Sequence, residues 1–360
     1  MTTALGLDIG GANLKAADPD GRVRVAAFAM WQQYDQLTDQ LRSLSWMECP
    51  ELVGVTMTAE LADCFETKAD GVSWVIGSVQ KAFPHSEIRI WLTSGEFAEP
   101  KDAVELPELV AAANWHALAT WVGRSVPTGP AILIDIGSTT TDIIPLLDGF
   151  PVPSGLTDLE RLLHAELVYT GVRRTPLCAV SRSVMLNGMR IPLAAELFAT
   201  MQDVYLVLGS LVENPENTNT ADGRPATVAA ARRRIAGMLC CDVQELTEKS
   251  TDDIARQLAR VQQDELVRAV LMVRETQNMQ MTNAHRDDVE VQPHVILSGS
   301  GLFLAAQVAA ECGLTATVNL SEFGSCAVAE AACAFAAARL VVERCRDDLL
   351  SAVPFHDTGI

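Results

Sequence analysis

Residues 4–15 of the chain read Ala-Leu-Gly-Leu-Asp-Ile-Gly-Gly-Ala-Asn-Leu-Lys, and residues 131–142 read Ala-Ile-Leu-Ile-Asp-Ile-Gly-Ser-Thr-Thr-Thr-Asp. Each copy continues in kind, with Ala-Ala-Asp-Pro-Asp-Gly then Arg-Val-Arg-Val after the first and Ile-Ile-Pro-Leu-Leu-Asp-Gly then Phe-Pro-Val after the second. Both spell strand, glycine turn, strand, tight Asp-Gly turn, strand. A fold for this chain has to accommodate that unit twice. Two related domains follow, each opening on the same hairpin, and 360 residues are too many for one ordinary core but suit two.

Between the copies, residues 51–56 and 87–92 read as further strands. Residues 107–123 read as a helix, with Leu109, Val110, Ala113, Leu118 and Val122 near helical spacing ahead of a terminating glycine. The second half is more helical. Helices are expected over 157–169, opened by a capping box from Thr157 to Glu160, then over 193–208, 226–239 and 252 to about 277. Residues 295–298 form a short apolar strand that runs into Gly-Ser-Gly and a helix over 302–312. A last helix, 327 to about 344, carries an alanine-rich face, and residues 213–224 are polar and irregular.

The formal net charge is −19 and no Lys/Arg-rich run offsets it, which argues against nucleic acid and anionic membrane as partners. An anionic substrate then has to be held by backbone N–H groups, a metal ion or a few local cations. Nine scattered cysteines with no CxxC fit free thiols in a reducing compartment. The start of the chain lacks a basic segment followed by an apolar run, and the most apolar stretch, 327–342, is broken by Glu330 and Arg339. The expectation is a soluble, cytoplasmic protein.

A glycine turn after a buried strand exposes several N–H groups and lets phosphate oxygens approach closely. Gly10, Gly11 and Asn13 in the first copy, and Gly137, Ser138, Thr139, Thr140 and Thr141 in the second, are therefore candidate phosphate ligands. Gly299, Ser300 and Gly301 form a third such turn, suited to a nucleoside or phosphate. Asp8 and Asp135 end their strands where a carboxylate can hold Mg²⁺ through water, or can instead cap the turn. Lys15 can place a cation on a phosphate or lie solvated on its strand; Asp142, at the matching position of the second copy, is a candidate general base.

The two loops and the third turn resemble the phosphate 1, phosphate 2 and adenosine motifs of the acetate and sugar kinase, Hsc70 and actin superfamily. The resemblance implies an α/β, two-domain actin-like ATPase fold, a duplicated ribonuclease H-like plan with an interdomain cleft. Its expected domains are 1–125 with 325–360, and 126–324. More narrowly, Asp-Ile-Gly-Ser-Thr-Thr-Thr-Asp resembles the hydantoinase/oxoprolinase branch. Thr56-Met-Thr-Ala-Glu-Leu61, Ala113-Asn-Trp-His116, Thr170-Gly-Val-Arg-Arg-Thr-Pro176, Asp203-Val-Tyr205 and Thr220-Ala-Asp-Gly-Arg-Pro-Ala-Thr227 are similar to the tetrahydromethanopterin-linked C1-transfer pathway proteins, which include a methanofuran biosynthetic synthase.

That narrower resemblance implies a transferase of methanofuran biosynthesis. A furanylmethyl diphosphate, a small-molecule ester, loses diphosphate to the phenol oxygen of γ-glutamyltyramine. Asp8 and Asp135, with Asp203 or Asp222, would place Mg²⁺; Asp142 or Glu60 would deprotonate the tyramine-type phenol, with Lys15 as the local cation. Thr58, Asn114, Trp115, Arg173 and Arg174 are the remaining substrate-facing candidates. Glu60 reads equally as a solvent-facing turn residue, Trp115 as core, Asp222 as a turn former, Arg173 and Arg174 as surface ion pairs, and Arg232 to Arg234 as a solvated helix face. The rival readings are an ATP-dependent kinase or hydantoinase/oxoprolinase-like ATPase on the same loops, with ATP as cofactor, and a non-catalytic nucleotide-binding actin-like scaffold. Homo-oligomerisation stays open.

Overall fold

The computed structural model describes residues 3–47, 49–283, 292–320 and 326–345. The expected boundary at 324/325 and the expected first-domain residues 346–360 lie outside the described residues.

Strand β1 (Ala4–Ile9) pairs antiparallel with β2 (Asn13–Ala17), which pairs with β3 (Val23–Ala27); on its other edge β1 runs parallel to β4 (Leu52–Met57), followed by β5 (Glu87–Trp91) and β6 (Phe97–Ala98). The second sheet repeats the plan. Strand β7 (Pro130–Ile136) pairs antiparallel with β8 (Thr141–Leu147), whose further partners are β9 (Phe150–Pro151) and β10 (Leu167–Val168). A separate hairpin, β11 (Ser183–Leu186) with β12 (Met189–Pro192), intervenes before β13 (His294–Ser298) pairs parallel with β7 and β14 (Ala316–Asn319) follows. An antiparallel hairpin continued by parallel strands, made twice, is the duplicated ribonuclease H-like plan of the actin-like ATPase fold.

Strands β1 and β7 are buried along their whole length, which explains why both read as nearly continuous apolar runs. The helix Ala332–Cys345 lies against the first sheet with backbone almost touching backbone. A β-carbon on Gly6 would sit 2.0 Å from the Ala334 carbonyl oxygen, and one on Gly54 would sit 2.6 Å from that of Ala337. The alanine-rich face exists to permit this approach. Together with the helix Asn114–Val122 it forms a buried cluster that also takes in Leu133, Ile144 and Leu146 of the second sheet, so one core ties the two sheets together. Among the described residues no helix is long and apolar enough to cross a membrane.

Five expected helices come out differently. The 107–123 segment splits into Pro107–Val110 and Asn114–Val122 around Ala112, whose φ of 49° no helix accommodates. The 157–169 segment keeps its capping box but helix only over Asp158–Leu163, turning at Ala165 (φ 57°) into β10. Of 193–208 only Met201–Val207 is helical, because the Thr200 and Asp203 capping box starts the helix late. The last helix breaks into Cys326–Glu330 and Ala332–Cys345, and the long one extends over Glu248–Asn283.

The Gly6 contact yields a test. Gly6→Ala drives a methyl into backbone that has nowhere to move and is expected to cost at least about 2 kcal/mol. Gly11→Ala meets nothing within 4 Å and serves as the neutral comparison; urea unfolding of both variants checks the difference.

Candidate active site

Hairpin register sets Asp8 opposite Lys15 on β1 and β2, and Asp135 opposite Asp142 on β7 and β8. All four line a cavity of about 350 Å³ together with both glycine turns. The turns are built alike: Gly10 N–H donates to the Asn13 carbonyl at 3.0 Å and Gly137 N–H to the Thr140 carbonyl at 2.9 Å. No carbonyl among the described residues takes the amides of Gly11, Ala12, Ser138 and Thr139. Successive free N–H groups of this kind make an anion-binding concavity.

The second turn is braced from behind. Gly171 packs so closely that a β-carbon would lie 2.6 Å from the Gly137 carbonyl oxygen, and the amides of Val172, Arg173 and Arg174 donate to the carbonyls of Gly137 and Ser138. Thr170 in turn accepts from Gln262 Nε2 at 2.7 Å, and Gln262 accepts from the Tyr205 hydroxyl at 2.6 Å. The third turn lies against the end of β7: Gly299 has φ 91°, and a β-carbon there would be 2.2 Å from the Ile136 carbonyl oxygen and 2.6 Å from Asp135 Oδ1. Glycine is required there on both counts. Gly301 N–H donates to the same carbonyl at 2.8 Å.

Lys15 Nζ lies 3.3 Å from Asp8 Oδ2. Burial opposes the charge on Lys15, yet the Asp8 and Asp135 carboxylates outweigh it and raise its pKa. Burial, reinforced by neighbouring Asp142, pushes Asp135 up to about 7 despite Lys15. Burial also raises Asp142, although Arg161 bonds its Oδ1. Arg161 is 2% exposed, pairs with Asp158 at 3.2 Å and lies 4.2 Å over the Trp115 ring.

A metal ion can be tested against this arrangement. Asp8 Oδ1 and Asp135 Oδ1 are buried, and neither has a hydrogen-bond partner among the described residues. Two orphaned carboxylate oxygens in one cleft fit a hard divalent cation. No group of three or more His, Cys, Asp or Glu side chains able to hold an ion is present among the described residues. An ion here would keep waters or substrate oxygens, as Mg²⁺ does.

The other expected site residues divide. Gly10, Gly11, Asn13, Thr58, Asn114, Gly137, Ser138, Thr139, Thr140 and Arg174 line the cavity, and Arg173, Gly299 and Ser300 line a second compartment beyond Lys15. Thr141 does not join them: fully buried, its hydroxyl donates to the Thr170 carbonyl at 2.8 Å. Glu60 is neither solvent-facing nor a cavity residue. It is 1% exposed, and its Oε1 accepts the Ala112 N–H at 3.0 Å, holding the helix break that presents Asn114 to the cavity. Trp115 is core, buried beneath Arg161, which removes it as a substrate platform. Asp203 and Asp222 converge on Arg234 at 2.7 and 2.9 Å and line neither compartment, so the ions they hold are guanidinium and not metal. Arg234 is accordingly 3% exposed, against the expected solvated face.

Sequence reasoning missed Arg161, Trp31 and Cys333. Trp31 lines the cavity opposite the second loop, with the Arg174 guanidinium 5.4 Å over its ring. Cys333 lines both compartments, its thiol pKa driven well up by burial.

Compared with known proteins, residues 51–344 match the model of the hydantoinase/oxoprolinase family. The chain is 35% identical over 257 residues, 71% of its length and 76% of the relative's, to the (4-{4-[2-(gamma-L-glutamylamino)ethyl]phenoxymethyl}furan-2-yl)methanamine synthase of Methanocaldococcus jannaschii. The synthase of the same name from Methanococcus vannielii is 38% identical over 144 residues, which is 40% of this chain and 64% of that one. Among solved structures, nucleotide-free acetone carboxylase aligns with TM-score 0.48 and 14% identity over 90% of this chain and 51% of that one. An archaeal actin homolog in complex with ADP aligns with TM-score 0.41 and 13% identity over 95% and 99%.

Glu60 carries a pH prediction. Burial raises its pKa from 4.5 to about 7, so between those values the unfolded chain releases a proton that the folded one keeps. Folding stability therefore falls as pH rises from about 4.5 to 7, by up to about 3 kcal/mol from this group. Glu60→Gln keeps the acceptor for Ala112 and removes the titration. The variant is expected to match the parent at pH 4 and exceed it at pH 8 in chemical denaturation; a constant difference would show that Glu60 does not titrate in this range.

Proposed function

The chain belongs to the hydantoinase/oxoprolinase family, and we propose that it is a synthase joining a furanylmethyl diphosphate to the phenol oxygen of γ-glutamyltyramine, with release of diphosphate. The observation that carries this reading is the pairing of two anion-binding turns with the orphaned oxygens of Asp8 and Asp135 in one cleft. It is supported by the product-type name of the relatives, a phenoxymethylfuran carrying a methanamine and a γ-glutamylaminoethyl group.

The chemistry asks for four things of the chain. The diphosphate is cradled by the free amides of Gly11, Ala12, Ser138 and Thr139, with Lys15 as the near cation. Asp8 and Asp135 would hold Mg²⁺, which when bound would neutralise charge on the leaving group. As the bond between the furanyl methylene and the diphosphate oxygen breaks, its electron pair leaves with diphosphate and the phenol oxygen bonds the methylene. The phenol proton passes to Asp142, whose Oδ1 is engaged by Arg161 while Oδ2 is left to accept. Arg161 fixes that carboxylate, and its own position is held by Asp158 and the Trp115 ring.

An ATP-using enzyme of the same fold is the second reading, favoured by the glycine turn at 299–301 beside the second compartment. Purified protein with Mg²⁺, furanylmethyl diphosphate and γ-glutamyltyramine is expected to release diphosphate only when the phenol is present. ADP formation from ATP without ether formation would replace the first reading by the second. Asp135→Asn is expected to lower kcat by about 100-fold or more while the melting temperature stays within a few degrees. Undiminished turnover in that variant would remove Asp135 from the chemistry.

A further inference from the structure

The second compartment, about 590 Å³, meets the first at Lys15 and Asp135. The two differ in what their walls offer. The first presents Asp63, Asp142 and Asp158 beside Trp31 and Tyr169. The second presents donors. Gln202 is 5% exposed on the first turn of the Met201–Val207 helix, lines this compartment, and its Nε2 has no hydrogen-bond partner among the described residues. Ser300 Oγ, also on this wall, is buried and unpartnered in the same sense. Arg173 lines the same space and forms no ion pair with a described carboxylate, while Glu330 supplies a carboxylate to the compartment. A buried amide N–H without an acceptor is rare in a folded protein and leaves a position for a water or a ligand oxygen to fill.

The framework around Gln202 explains the two acids that bind no metal. Asp203 accepts the Thr200 N–H at 2.9 Å and Arg234 Nε at 2.8 Å, while Asp222 accepts Arg234 Nη1 at 2.9 Å. One buried guanidinium thereby locks the start of the Gln202 helix to the polar 214–224 loop, whose Asn219 and Thr220 complete the compartment. A cation, two neutral donors and one carboxylate lining one compartment match an α-amino acid head: carboxylate to Arg173, Gln202 and Ser300, ammonium to Glu330.

We infer that the second compartment binds the free α-amino acid end of the γ-glutamyl group, so that the acceptor enters from this side and its phenol reaches the Asp135 and Asp142 end. The inference rests on the proposed function. It leaves the acidic, aromatic first compartment for the aminomethylfuran, whose ammonium and ring suit Asp63, Asp158 and Trp31.

The test uses γ-glutamyltyramine against 4-aminobutyryltyramine, which lacks only the α-carboxylate. The parent enzyme is expected to favour the glutamyl compound by at least about 10-fold in kcat/KM, the worth of a hydrogen bond to a charged group. Gln202→Leu and Arg173→Met should each erode that preference through the KM of the glutamyl compound, with the KM of the furanylmethyl diphosphate unchanged. Gln202→Leu removes an orphaned donor and keeps the volume, so its folding is expected to survive; a melting curve checks this. A preference that persists in both variants overturns the inference, as does a rise in the diphosphate KM instead. If the parent forms no ether at all, the function fails by itself. Calorimetric binding of γ-glutamyltyramine to the parent, weakened in Gln202→Leu, would then still uphold the compartment's role, and unchanged binding or none would end it.

Discussion

Three carboxylates, Asp8, Asp135 and Asp142, lie buried at the ends of two hairpins, with Lys15 and Arg161 as their buried or half-buried counter-charges. Like charges gathered out of water repel and are poorly solvated, so this grouping is unstable unless the surroundings hold it. Much of the neighbouring structure does so. Arg161 is fixed by Asp158 and by the Trp115 ring, and the Asn114–Val122 helix that carries Trp115 is fixed in turn by the alanine-rich core between the sheets. The residual negative excess is one that a divalent cation would relieve, and the cation would in turn offset the charge of an anionic substrate.

The turns are held by close approach instead of by charge. Gly171 lies against the second turn and Gly299 against the end of β7, at distances that admit no side chain. Such contacts leave the turn amides little freedom to reorganise, and preorganised donors are what stabilise a departing anion in a water-poor site. Tyr205, Gln262 and Thr170 form a hydrogen-bonded line behind the same turn. The segments that carry the family resemblance thus serve largely as bracing.

How far the sequence could be read depended on the range of the interaction. Hairpin register is local, so the spacing within each Asp-Ile-Gly unit was enough to set Asp8 against Lys15 and Asp135 against Asp142. Glycine turns announce themselves in the same way. Ion partners do not. In the helix Asp158–Leu163 the arginine is buried while Leu159 and Leu163 are 78% and 71% exposed, the reverse of what local patterning indicates. Asp203 and Asp222 meet Arg234 through tertiary folding, and nothing adjacent to either acid signals guanidinium over metal. Glu60 looked like a turn residue because its acceptor role depends on Ala112, whose unusual φ is itself imposed from a distance.

The contact of Gly6 and Gly54 with Ala334, Ala337 and Ala338 has a consequence for how the molecule comes to exist. Strand β1 is among the first parts of the chain to be made, yet the helix that covers it lies roughly 330 residues later, with the whole second sheet synthesised in between. Until that helix arrives, β1 and β4 expose a strip of bare backbone and small side chains on a nascent sheet. The second sheet waits on the same helix, because Leu133, Ile144 and Leu146 share its buried cluster. The core behind both Asp-Ile-Gly loops is therefore closed by one late segment, and neither sheet has its full apolar cover until residues 332–345 are made.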